Sequence, residues 1–180
     1  VTVIHGVPGL VVDVYVNGAL TLPGFKPGTI TPPIQLPEGN YYIQITPEGQ
    51  DTTNAVIKGS TFLPAGANAS IIAHLTDSGM PTLSVYINNL NGLGNGKSRL
   101  VVRHNAVAPV VDVNLYRGNE AKKFVAKLPN LSNPNELSAD VPPGMYSATL
   151  APAGTSTVAY GPVPLRLKPG VQYIVYAFGS

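Results

Sequence analysis

A chain that repeats itself must fold as one unit made twice, and this sequence repeats four blocks in the same order. Val3-Ile4-His5-Gly6 and then Val11-Val12-Asp13-Val14-Tyr15-Val16-Asn17-Gly18 are answered by Val101-Val102-Arg103-His104 and then Val110-Val111-Asp112-Val113-Asn114-Leu115-Tyr116-Arg117-Gly118. In both copies the Asp stands eight residues after the His. Leu36-Pro37-Glu38-Gly39-Asn40-Tyr41 is answered by Val141-Pro142-Pro143-Gly144-Met145-Tyr146, and Pro47-Glu48-Gly49 by Pro152-Ala153-Gly154. Leu63-Pro64-Ala65-Gly66 with Ser70-Ile71-Ile72-Ala73 is answered by Leu167-Lys168-Pro169-Gly170 with Ile174-Val175-Tyr176-Ala177. The 180 residues therefore hold two copies of one small domain.

Within each copy, short alternating runs are separated by turn residues. In Val12-Asp13-Val14-Tyr15-Val16-Asn17 the valines point one way and Asp13, Tyr15 and Asn17 the other, the pattern of a half-buried strand. Asn17-Gly18 tolerates positive φ and predicts a hairpin turn. Residues 41–45, 70–75 and 83–88 read as further strands of the first copy. Gly (19) and Pro (18) are frequent enough to argue against long helices, because Pro removes an amide donor and Gly loses more backbone freedom on ordering. The predicted fold is all-β: two tandem immunoglobulin-like antiparallel β-sandwich domains. Residues 1–92 form the first, 93–98 a Gly/Asn-rich linker, and 99–180 the second. The second copy stops after residues 173–178, where the first continues into 83–88. It is thus expected to lack its last strand and to leave an open sheet edge, filled by chain beyond Ser180 or by a partner.

The paired signatures at residues 3–18 and 101–118, with the block at residues 36–41, resemble domain-of-unknown-function family 4397, most of all its tandem exported members of actinobacterial type. The resemblance covers nearly the whole chain. It implies an exported or cell-surface protein with an immunoglobulin-like sandwich, and it brings no catalytic residues with it. The second copy departs from the pattern at Val141-Pro142-Pro143-Gly144, and in its missing closing strand.

The His5/Asp13 and His104/Asp112 pairs are the strongest candidates for chemistry, since a His oriented by an Asp serves as general base or metal ligand. Parity points to a structural role instead. Arg103 should face solvent, so His104 falls inward with Val102 and Leu100, bonded to the next loop. A single active site would not need duplicating either. His74 lies in an apolar run without a partner motif, and the three histidines lack zinc-ligand spacing. No Asp-rich calcium loop is present, and there are only nine acids. Cysteine is absent, and so are a nucleophile elbow and a phosphate-binding loop, so no metal, cofactor or catalytic residue is expected. Asn68-Ala69-Ser70 and Asn130-Leu131-Ser132 are sequons open to glycosylation at Asn68 and Asn130. Lys58 and Lys127 are conceivable partners for a Lys–Asn isopeptide bond.

With a net charge of +2 and no basic run, nucleic acid is not an expected partner. No apolar run is long enough to span a membrane. Val1 enters a strand-like run at once, which reads as a mature product whose export signal has been removed. The expectation is a non-catalytic extracellular or cell-surface structural or adhesion module. It would assemble into homo-oligomers, polymers or filaments through sheet edges. The alternative is a carbohydrate or cell-wall glycan binding module that uses exposed Tyr, of which there are nine, and Asn.

Overall fold

A computed structural model describes residues 1–93 and 95–180 in full and Gly94 by its backbone alone. The chain divides into two compact units: unit 1, Val1–Asn89 together with Phe178–Ser180, and unit 2, Leu90–Ala177. Among the described residues there is no α-helix, only short 3₁₀ turns at Thr52–Asn54 and Leu93–Asn95. The protein is all-β, two tandem β-sandwiches, as the repeat predicts.

Unit 1 carries β1 (Thr2–His5), β2 (Val12–Val16), β3 (Ala19–Phe25), β4 (Gly39–Pro47), β5 (Ile57–Leu63), β6 (Ala69–Leu75) and β7 (Pro81–Ile87). One sheet has the order β3-β2-β4-β5 and the other β1-β6-β7. Its strands pair antiparallel except β1 with β6, which run parallel from Thr2↔Ser70 to His5↔Ala73. Asn17 and Gly18 adopt φ of 50° and 81°, so β2 turns into β3 through the predicted two-residue hairpin. The core between the sheets is built on Val12, Val14, Ile43, Ile45, Ile57, Ile71 and Ala73. These residues alternate along their strands, as a sandwich interior requires.

The second unit is built from β8 (Ser98–Ala106), β9 (Val111–Arg117), β10 (Lys123–Leu131), β11 (Glu136–Val141), β12 (Gly144–Pro152), β13 (Tyr160–Leu167) and β14 (Gln172–Gly179). Its sheets have the orders β10-β9-β12-β13 and β11-β8-β14. Leu100, Val102, Val111, Val113, Leu115, Leu131, Val141, Tyr146 and Leu167 form its core. The two units match strand for strand with one exchange. Unit 1 pairs β6 with β7 over seven residues, whereas β14 ends its sheet order. On the far side of β8, β11 makes six consecutive pairs, where unit 1 has the isolated bridge Ile4↔Ile30 and separate main-chain bonds between β1 and residues 28–34.

Three expectations need correction. Ser98 is not linker: it opens β8, is fully buried, and donates its hydroxyl to the Lys168 carbonyl at 2.5 Å. Arg103 does not face solvent. It is 1% exposed because Glu136, its cross-strand partner on β11, and the Tyr176 hydroxyl on β14 each take its guanidinium at 2.6 Å. Asp13, on the outward side of β2 by parity, is also buried, because turns fold over it.

Candidate functional site

The repeated signature resolves into two devices, and neither joins the His to the Asp. The loop after β1 doubles back on His5. There the Val7 amide donates to Nδ1 at 3.3 Å and Nε2 lies 2.8 Å from the Leu10 carbonyl, which it can meet only as a donor. The ring is therefore the neutral tautomer with its proton on Nε2. The same bonds recur after β8, from the Ala106 amide to His104 Nδ1 at 3.3 Å and from Nε2 to the Pro109 carbonyl at 3.1 Å. Burial holds the His5 pKa below its ordinary value, while the bond to Leu10 works the other way. Both nitrogens of both rings serve the main chain.

Each Asp is a clamp. Asp13 accepts the Gly24 amide on Oδ1 and the Gly49 amide on Oδ2, both at 2.8 Å. It thereby fixes the end of β3 and the β4–β5 turn to the middle of β2. Asp112 repeats this with the amides of Asn130 and Gly154, both at 3.0 Å, and adds the Lys127 ammonium at 3.1 Å. The two amides, then Lys127, hold the Asp112 carboxyl below the usual carboxylate range. This explains why Pro47-Glu48-Gly49 and Pro152-Ala153-Gly154 recur: each supplies the amide that its Asp needs.

The third repeated block proves to be a corner. Tyr41 donates its hydroxyl to the Pro37 carbonyl and Tyr146 to the Pro142 carbonyl, both at 2.6 Å, which resembles the tyrosine corner of immunoglobulin-like sandwiches. In unit 2 Arg117 reinforces it, donating to the Tyr146 hydroxyl at 2.6 Å with its guanidinium 4.8 Å from the ring centre. The Pro-x-x-x-Tyr spacing present in both copies was the available signal.

His74 is fully buried, with Nδ1 2.9 Å from the Leu75 carbonyl and Nε2 2.7 Å from the Ser84 hydroxyl. A Ser–His pair is the start of a nucleophilic site. Here the ring rests on a backbone carbonyl rather than a carboxylate and is closed off from solvent, so the pair lacks access for a substrate. Ten residues and a turn separate the two in sequence, which hid the pairing. Among the described residues, no three His, Cys, Asp or Glu side chains gather to hold a metal ion. Among the described residues, no helix is long and apolar enough to cross a membrane.

Lys127 pairs with Asn114 across β10 and β9, and its ammonium meets Asp112. That brings the amine, amide and acid of an isopeptide site together, but in the wrong state. Amide formation in such a site needs a protonated acid in a closed core, whereas the Asp112 carboxyl is held in its ionised form and Lys127 is 43% exposed. Lys58 lies exposed on β5 opposite Gln44. Of the sequons, Asn68 and Asn130 are both exposed. Asn68 accepts from Asn88 through Oδ1 at 2.7 Å, and Asn130 sits at φ 57°.

Unit 1 also contains a cavity of about 160 Å³ between its sheets. Its wall includes Val3, Val16, Leu22, Ile34, Ile43 and Ile71, with Thr21 and Tyr41 as the only hydroxyl-bearing side chains. Unlike the clamps, it has no counterpart in the sequence signature.

No curated protein matches the chain. A solved structure titled "The Bacillus anthracis TIE protein" is similar over 98% of this chain, at 16% identity and a TM-score of 0.35, and this chain spans 32% of its length. The family described as "Domain of unknown function (DUF4397)" matches residues 1–114, which hold the first copy entire and the opening His–Asp signature of the second. With well over half its length matched, the chain belongs to the DUF4397 family.

Proposed function

We propose that this protein is a non-catalytic structural or adhesive module of the cell exterior that joins a neighbour through a sheet edge. The observation that carries the reading is the strand order β11-β8-β14, in which β14 ends a sheet at the position where β6 is covered by β7. An edge strand offers a row of unpaired amides and carbonyls, and an added strand would bond to them as β7 does to β6. The occupant on this reading is a strand from a second copy. Pairing of β14 with itself closes a two-fold dimer, and pairing with a different edge propagates a filament. Support also comes from the signature residues, whose hydrogen bonds go to main-chain groups and, at Asp112, to Lys127 as well. The extracellular setting rests on the resemblance to exported family members.

Negative-stain electron microscopy with light scattering over a concentration series tests this. Dimers or filaments that dissociate when a peptide of sequence Pro81–Ile87 is added would support strand pairing. A strict monomer at every concentration refutes it.

A second reading, a glycan-binding module, is favoured by the outer face of the β3-β2-β4-β5 sheet. Register puts Tyr15, Gln44 and Lys58 in one row, Tyr42 and Ser60 in the next, and Asn40 and Phe62 in the last. Tyr42 and Phe62 are 41% and 52% exposed, so aromatic faces alternate with amides and hydroxyls. Cell-wall pull-down with Tyr42→Ala and Phe62→Ala decides it: binding that survives both changes removes this reading.

A further inference from the structure

The cavity of unit 1 has a physical cause that unit 2 makes plain. In unit 2, β11 zips onto β8 through six pairs and sends Leu137, Ala139 and Val141 to the core. The matching stretch of unit 1, residues 26–37, contains Pro27, Pro32, Pro33 and Pro37. Proline has no amide to donate, so this stretch cannot run as a paired strand. It meets β1 at the Ile4↔Ile30 bridge and through the amides of Thr31 and Ile34, which donate to the Val3 and Val1 carbonyls at 2.9 and 2.7 Å. Ile34 and Leu36 reach the cavity wall as isolated side chains rather than as a strand's continuous row.

The space left is poorly suited to water. A buried water needs two to four polar partners. The wall offers two hydroxyls, and each has its proton engaged, Thr21 with the Ala19 carbonyl at 3.0 Å and Tyr41 with the Pro37 carbonyl at 2.6 Å, which leaves a water only acceptor sites there. No charged side chain lines it, and the one formal charge on its wall, the Val1 ammonium bonded to the Ile34 carbonyl at 2.7 Å, would repel a cation, so a cationic group would enter without compensation. A closed apolar cavity of about 150 Å³ stays dry and takes up benzene; this one is of similar size and opens at a rim that includes the exposed Thr21 and Leu36. A hydrocarbon filling this one would also restore the dispersion contacts that its lining lacks.

We infer that the cavity between the sheets of unit 1 is a binding site for an uncharged hydrocarbon group of about benzene size, the ring of a small aromatic or the last carbons of an alkyl chain. The site is independent of the β14 edge and of the outer sheet face, and uses none of their residues.

The test is methyl NMR of the intact chain titrated with benzene, and separately with benzylammonium as the charged analogue. Saturable shifts confined to the methyl groups of the wall, Val3, Val16, Leu22, Ile34, Ile43 and Ile71 among them, are expected with benzene, and none with benzylammonium. Val16→Phe, which projects a ring into the space from the end of β2, should weaken benzene binding at least tenfold and raise the melting temperature. Val3→Leu is the gentler filling and should weaken it less while leaving the fold unchanged. Shifts that fail to saturate, shifts spread over both units, or equal binding by both filled variants would overturn the inference.

Discussion

Replacing Asp13 by Asn changes one atom and removes half of a clamp. In the native unit each carboxylate oxygen accepts one main-chain amide at 2.8 Å, from Gly24 and from Gly49, at a residue only 4% exposed. Asn keeps one acceptor and turns an NH₂ group toward the other amide, so one bond is lost and two donors face each other. A hydrogen bond to a charged group contributes about 1.5–3 kcal/mol, and a buried donor left without an acceptor costs about 1–3 kcal/mol. Those ranges count the same amide from two sides. The expected loss is therefore about 3 kcal/mol for Asp13→Asn, and about 4–5 kcal/mol for Asp13→Ala, which abandons both amides. If unit 1 unfolds as its own transition, 3 kcal/mol lowers its midpoint by roughly 12–24 °C, and by about half that if both units melt together. Urea unfolding followed by far-UV circular dichroism and tyrosine fluorescence measures it, with equal m-values required for the comparison. A loss below about 1 kcal/mol for Asp13→Asn, on the scale of an ordinary surface change, would show that the two turns hold their positions without the carboxylate.

Three other perturbations are similarly open to measurement. Tyr146→Phe should cost about 1–3 kcal/mol and more than Tyr41→Phe, because its hydroxyl both donates to Pro142 and accepts from Arg117; equal effects in urea would dismiss the role of Arg117. His5 resists protonation when folded, so below about pH 6.5 the unfolded chain takes up the proton more readily and stability falls as pH falls. Asp112 adds a second acid loss below about pH 3.8 as the clamp is protonated. His5→Gln should flatten the slope between pH 7 and 5, and an unchanged slope would assign it to another group. Glu136→Ala should destabilise by about 1–3 kcal/mol by stripping the buried Arg103 of its carboxylate, whereas Arg103→Met should be milder; the reverse order would mean that the pair itself contributes net stability.

The His–Asp signature was legible because the same mechanical problem is solved twice, and one main-chain partner set demands one spacing. His5 closes onto Leu10 and His104 onto Pro109, the same five residues on, so the ring positions could not drift apart between copies. Strand identity was legible where apolar residues alternate, as in β2 and β4. Burial was not, because parity says which way a side chain points and not what covers it. Asp13 and Arg103 were both read as outward and are both enclosed, one by turns from 11 and 36 residues away and the other by Glu136, 33 residues on. β11 stayed hidden because its end coincides with the Pro block at residues 141–144, which in the first copy follows a loop. The cavity has no sequence signature, since it is a shortage of packing rather than a motif.

The parallel pairing of β1 with β6 sets the order in which unit 1 can be completed. Thr2 finds Ser70, and His5 finds Ala73, only after nearly the whole unit has been made. A chain emerging from a ribosome or a translocation pore brings β1 out with the first residues of this unit. The hairpins of β2 with β3 and β4 with β5 close locally in the meantime, as contacts of short sequence separation do. Until β6 arrives, β1 is held on one side alone, by the Ile4↔Ile30 bridge and the main-chain bonds of residues 28–34, and its other side is bare. In that interval it is the unit's most exposed piece of sheet, able to pair with a passing chain. Docking of β6, with β7 beside it, ends the exposure and is the step that turns a string of hairpins into a closed sandwich.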